Sequence, residues 1–253
     1  MDNLSVYMSK KVFFYVFFAS LLLTFCKEVK KENSPDLLTF YLAESIPVLE
    51  PSGLDLSADE KSFWIVSDQN STVYLMNGWG KVIKNFKVNG EDLEGITVID
   101  DSTLAVVLER TREVVVIDTS GKEIKRAKVK LEGELNSGLE GITYDPAQKK
   151  FYILNEKNPR LLITFDDSLN ELNRDTLNYS KDVSGIYFDP NDKALWILSD
   201  ESQRVFKTDL SGKPIEEFRI KVAQPEGITF NKSHTKMYLV SDRTENLYIF
   251  NLE

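Results

Sequence analysis

Eight carboxylates recur at fixed places in this chain, and together they could hold a hard cation. Three are glutamates inside a five-residue phrase: Leu93-Glu94-Gly95-Ile96-Thr97, Leu139-Glu140-Gly141-Ile142-Thr143 and Pro225-Glu226-Gly227-Ile228-Thr229. The other five, Asp68, Glu109, Glu156, Asp200 and Asp242, each close an apolar run such as Phe63-Trp64-Ile65-Val66-Ser67. The acidic ending follows the phrase glycine by 15 residues in four repeats and by 14 at Glu109. Converging carboxylates repel one another unless they are protonated or neutralised. Ca²⁺, which takes about six to eight oxygens in flexible geometry, is the simplest remedy. Two further copies of the phrase carry serine instead, Pro51-Ser52-Gly53-Leu54-Asp55 and Val183-Ser184-Gly185-Ile186-Tyr187. A repeat that tolerates serine does not need glutamate to fold, so Glu94, Glu140 and Glu226 read as ligands. For the five endings a second role is open and is weighed first, because an Asp after a strand also accepts backbone N–H bonds in a tight turn.

The spacing of the phrases dictates what positions these groups. The glycines lie 42, 46, 44 and 42 residues apart, the period of a radial repeat. Each repeat holds four short runs rich in Val, Ile, Phe, Tyr and Trp and bounded by Gly, Asn, Asp and Ser, which is the strand signature. The first two runs are nearly all apolar, as inner strands should be, and the fourth alternates, as in Ile215-Glu216-Glu217-Phe218-Arg219-Ile220. The pattern predicts an all-β fold, a five-bladed β-propeller with four antiparallel strands per blade. An open array and a sixth, degenerate blade are the alternatives. The last repeat ends after its third strand, and the orphan stretch Leu37 to Ala43 supplies the missing outer one, closing the ring. Strands 1 and 2 run antiparallel, so the phrase and the acidic ending share one rim.

The rest of the chain narrows the class of protein. A net charge of −9 over 253 residues and the lack of a basic patch exclude non-specific nucleic-acid binding. Lys10-Lys11 precede the apolar run Val12 to Phe25, a charged n-region and an h-region too short for a comfortable membrane span. Cys26, the single cysteine, follows directly. This reads as a signal peptide over 1–25, lipidation at Cys26, a polar tether over 26–36 and a propeller domain over 37–253. Phe25 departs from the small residue expected before a lipidated cysteine, and an uncleaved signal anchor is the alternative. Both place the ring in the bacterial cell envelope, membrane-anchored and outside the cytoplasm, as a monomer. The only histidine, His234, falls at the far rim and reads as a surface turn residue, which leaves no Ser-His-Asp arrangement. Trp79, in Asn77-Gly78-Trp79-Gly80, reads as an exposed turn residue open to a partner.

The phrase Leu-Glu-Gly-Ile-Thr, followed by Tyr144-Asp145-Pro146 and by Asn155-Glu156, resembles the SdiA-regulated family of bacterial envelope proteins, distant relatives of NHL-repeat propellers. The resemblance covers most of residues 38–253. It implies a five-bladed propeller with a Ca²⁺ site in the channel and does not itself assign an activity. Serine at positions 52 and 184 departs from the glutamate pattern and leaves the ligand set open. Two functions fit. One is a calcium-binding envelope lipoprotein that binds a protein, glycan or small ligand. The other is a calcium-dependent, lactonase-like hydrolase, by analogy with six-bladed relatives, in which the ion polarises a carbonyl and a carboxylate acts as base.

Overall fold

The computed structural model describes residues 35–252, which form five four-stranded antiparallel blades around one axis. Blade 1 runs Pro51–Leu56, Ser62–Ser67, Thr72–Asn77 and Val82–Lys87 from the axis outward. The inner strands of blades 2 to 5 are Leu93–Asp100, Leu139–Asp145, Ile186–Asp189 and Pro225–Phe230. There is no helix among the described residues. The burial gradient follows the sequence pattern. The second strand of blade 4, Ala194–Ser199, is buried throughout, whereas the fourth strand of blade 3, Glu171–Thr176, is almost wholly exposed. β-branched and aromatic side chains fill a pleated surface well, and here they have neighbours on both faces.

The core is divided into five apolar clusters, one between each pair of adjacent blades. Val66, Val73 and Trp64 of blade 1 meet Ile96, Val106 and Val115 of blade 2, for example. Ring closure is the same kind of contact, with Leu54 and Ile65 of blade 1 packed on Val240 and Leu247 of blade 5. Near the axis the strands approach so closely that a side chain has no room. A Cβ built on Gly53 would lie 2.4 Å from the carbonyl oxygen of Glu94, and one on Gly95 would lie 2.6 Å from that of Glu140. These contacts are backbone against backbone and cannot give way, which explains why the phrase repeats around glycine.

The N-terminal strand closes blade 5 as the sequence predicts, but further along than Leu37 to Ala43. Phe40–Ser45 pairs antiparallel with Asn246–Asn251. Asp36–Leu37 instead adds a short parallel strand to the outer edge of blade 4, paired with Phe218 and Arg219. The Arg219 guanidinium donates to the Pro35 carbonyl at 2.8 Å, and Leu38 N–H donates to the Arg219 carbonyl at 2.9 Å. Residues 35 and 36 therefore belong to the ring. The expected signal peptide, Cys26 and the tether up to residue 34 lie outside the described residues.

Candidate metal centre at the channel mouth

The glutamate position of the phrase is a β-bulge. Pairing between the first two strands skips residue 52 in blade 1, residue 94 in blade 2 and residue 226 in blade 5, and it skips 140 and 141 in blade 3. A bulge leaves one residue unpaired and re-aims its side chain. Here it turns Ser52, Glu94, Glu140 and Glu226 into the throat of the ring, where Ser184 joins them. The acidic endings reach the same rim because the second strand returns beside the start of the first. Amides of Asp68, Glu109, Glu156 and Asp242 donate to the carbonyls of Glu50, Asp92, Gly138 and Gln224, at 2.8–3.3 Å.

Seven of the eight carboxylates singled out in the sequence line one cavity of about 290 Å³: Asp68, Glu94, Glu140, Glu156, Asp200, Glu226 and Asp242. Glu109 is buried behind the wall, where its Oε1 accepts the Gly138 N–H at 3.1 Å. It still reaches the centre: Glu109, Glu140 and Glu156 each present a carboxylate oxygen, and these lie within 4.8 Å of one another. Ten carboxylates and a single lysine, Lys157, line the cavity, and Lys157 is engaged by Glu156 at 2.5 Å. Several turns after the second strands take their N–H bonds from other groups. The Ser199 and Ser241 hydroxyls accept from Ser202 and Thr244, and the Glu109 and Asp200 carbonyls accept from Arg112 and Gln203.

Burial and like charge act together on these groups. Glu140 is held well above the usual carboxylate range first by desolvation, then by the charges of Glu94, Glu226, Glu109 and Glu156. Glu94 and Glu226 are raised in the same way, by burial and then by neighbours that include Asp68 and Asp200 respectively. Burial, with Glu50 and Asp242 nearby, pushes Asp68 up to about 7, and its Oδ1 is buried without a partner. Glu109, Glu156, Asp200 and Asp242 are also raised, each mainly by burial. All the donors are hard oxygens, so the set suits Ca²⁺ rather than a thiophilic or imidazole-seeking metal.

The structure adds residues that the phrase alone did not reveal. Where the phrase carries serine, a carboxylate stands two residues earlier: Glu50 before Ser52, and Asp182 before Ser184. The two serines turn aside to join blades, Ser52 Oγ donating to the Leu93 carbonyl at 2.7 Å and Ser184 Oγ to the Pro225 carbonyl at 2.9 Å. Extending the repeated phrase by one residue upstream would have found both acids. Deeper in the channel sits Asp55, the last residue of the first phrase. It accepts from the Val98 and Leu56 amides at 2.8 Å and from the Thr229 and Thr97 hydroxyls at 2.9 and 3.2 Å. His234 is in a turn at the far rim, as expected, but it is half-buried rather than fully on the surface. It stacks on Phe230 at 4.7 Å, its Nε2 lies 3.2 Å from Asp189 Oδ1, and burial pushes its pKa down.

The profile of the SdiA-regulated family matches residues 43–251, the whole ring but for its first strands. This chain is a member of the SdiA-regulated family. No curated protein matches it in sequence. Among solved structures it is similar in fold to a chain of a nidogen/laminin complex, at 15% identity and a TM-score of 0.59, covering 80% of this chain and 76% of that one. It is also similar to a streptogramin B lyase, at 16% identity and a TM-score of 0.54, covering 83% and 73%. A third is the hydrazine synthase of Kuenenia stuttgartiensis, at 19% identity and a TM-score of 0.53. That match covers 78% of this chain but only 56% of that protein. At such identities the likeness extends to the propeller fold alone. This SdiA-regulated propeller thus shares its scaffold with a lyase and with a chain of a nidogen/laminin complex.

Proposed function

We propose that this protein is an envelope-anchored propeller lipoprotein whose channel mouth binds Ca²⁺ and, through it, a partner or ligand. The observation that carries the reading is the group Glu109, Glu140 and Glu156, with oxygens within 4.8 Å of one another, beneath a cavity rich in carboxylates. Glu94, Glu226 and Asp68 supply further oxygens around it, and the partnerless Oδ1 of Asp68 supports the presence of a cation. A bound ion would neutralise the mouth and offer remaining coordination positions to the oxygens of a protein, a glycan or a small molecule. Cys26, outside the described residues, would carry the lipid that holds the ring to the membrane. Elemental analysis of the purified chain and calorimetric Ca²⁺ titration test the reading. Binding should be lost in Glu140→Gln.

One observation favours a hydrolase as the second reading. Asp68 lines the cavity with its Oδ1 buried and unpartnered, a carboxylate placed to act as general base once an ion holds it ionised. Lactone and ester turnover that needs Ca²⁺ and disappears in Asp68→Asn would select it over a binding module.

A further inference from the structure

The residue after each acidic ending is itself a repeated position: Gln69, Arg110, Lys157, Glu201 and Arg243. Three of these are basic, and of the three only Lys157 lines the cavity. Arg110 is engaged by Asp92 on the outside of the rim, and Arg243 is exposed. Glu201, the counterpart of Lys157 in blade 4, lines the cavity as well. The one basic residue that turns inward therefore has an acid at the same position of the next blade. The Lys157 Nζ lies 2.5 Å from Glu156 Oε1 in its own blade and 3.5 Å from Glu201 Oε1 across the seam.

The two partners differ in depth. The Glu156 side chain is 16% exposed and the Glu201 side chain 50% exposed, so Glu156 is the inner one. Glu156 also belongs to the group, with Glu109 and Glu140, whose oxygens lie within 4.8 Å of one another. The ammonium thus sits on a carboxylate that a metal ion at this group would need. Two cations drawn to one carboxylate repel each other at such range. The lysine is tied at its base. The Asn155 side-chain amide donates to the carbonyls of Lys157 and Pro159, at 3.2 and 2.7 Å. The outer partner is fixed as well, since the Glu201 N–H donates to the Asp182 carboxylate at 3.1 Å. Only the flexible four-carbon stem of the lysine has to turn for its ammonium to leave Glu156 and close on Glu201.

We propose that Lys157 is a tethered counter-ion, which pairs with Glu156 in the metal-free protein and passes to Glu201 when a metal cation enters the mouth. Metal uptake is then an exchange of one cation for another. The lysine sets the affinity below what the carboxylates alone would give, and Glu201 eases its departure. The inference rests on the proposed Ca²⁺ site and adds to it a regulator built into the chain.

The test is calorimetric Ca²⁺ titration of the purified full chain and of Lys157→Met, which keeps most of the stem and removes the charge. The variant should bind Ca²⁺ about fivefold more tightly, the factor that a partly exposed ion pair of ordinary strength represents. In chelator it should melt below the parent, because Glu156 has lost its counter-charge, and Ca²⁺ should narrow that gap. Glu201→Gln should weaken binding about threefold in the parent and leave it unchanged in the Lys157→Met background, because the outer partner matters only to the lysine. An equal loss in both backgrounds would make Glu201 act on the ion directly and would overturn the exchange. Unchanged or weaker binding in Lys157→Met overturns the counter-ion and leaves the Ca²⁺ site standing. Calcium bound by Lys157→Met but not by the parent supports the proposal in its strongest form, with the lysine as a full block. Calcium bound by neither overturns the ion site and the proposal together.

Discussion

The channel holds carboxylates of two kinds, and they differ in what surrounds them. Asp55 is half-buried near the axis, where desolvation raises its pKa against four hydrogen bonds from blades 1, 2 and 5. Those bonds come from amides and hydroxyls that already belong to the ring, so this carboxylate is satisfied by the fold. At the mouth, ten carboxylates share one lysine and few amides. The same repeat thus builds one level whose carboxylate is satisfied by the fold and another where carboxylates crowd one cavity. A buried charge persists only if paired; in the proposed reading a bound cation pairs those at the mouth, and without it the raised pKa values leave protonation as the relief.

Substitution at the satisfied level should have the largest effect on the fold. Asp55→Ala leaves the Leu56 and Val98 amides and the Thr97 and Thr229 hydroxyls without their acceptor across three joined blades, and it should destabilise by about 3 kcal/mol by urea denaturation. The loss should be equal with Ca²⁺ and with a chelator. An ion-dependent loss would mean that the two levels are not separate.

Glu140→Gln should behave in the opposite way. In chelator it removes one charge from a crowded site and should raise the melting temperature. With Ca²⁺ at about a hundred times its dissociation constant, the parent should gain about 2.7 kcal/mol and the variant should gain none.

The pH dependence sharpens the contrast. Folded-state pKa values of Asp68, Glu94, Glu140 and Glu226 stand above their unfolded values, so the folded chain binds more protons between them. Stability without metal should therefore fall as pH rises from about 4, and Asp68 should complete its share near 7. Ca²⁺ should flatten that fall in thermal melts, because it favours the ionised forms.

Ser184→Ala is expected to have the smallest effect. It removes one hydrogen bond to the Pro225 carbonyl, at a cost of about 1 kcal/mol, and leaves Ca²⁺ affinity unchanged. A fall in affinity would make the serine part of the site rather than a joint between blades.

The blade count and the shared rim were legible in the sequence because glycine and the acidic endings are fixed by local geometry. Gly53 and Gly95 face backbone, and no other residue fits. Glu50 and Asp182 stand one residue outside the repeated phrase, and what singles them out is the serine two residues later, which turns away to another blade. Asp55 occurs in one repeat alone, so periodicity could not single it out. Its partners come from strands more than 40 and 170 residues distant in sequence. His234 read as a surface residue because Tyr187, Trp196 and Phe230, which enclose it, are contributed by three different strands. The edge strand Asp36–Leu37 was hidden by its brevity, with too few residues to show a period.

The most direct test of a mouth completed by a cation is the thermal melt of the purified chain near neutral pH, in chelator and in millimolar Ca²⁺, with bound metal quantified on the same sample. The ion-completed mouth predicts stoichiometric calcium and a higher melting temperature in Ca²⁺, both abolished by Glu140→Gln. Superimposable melts with no bound calcium would contradict it.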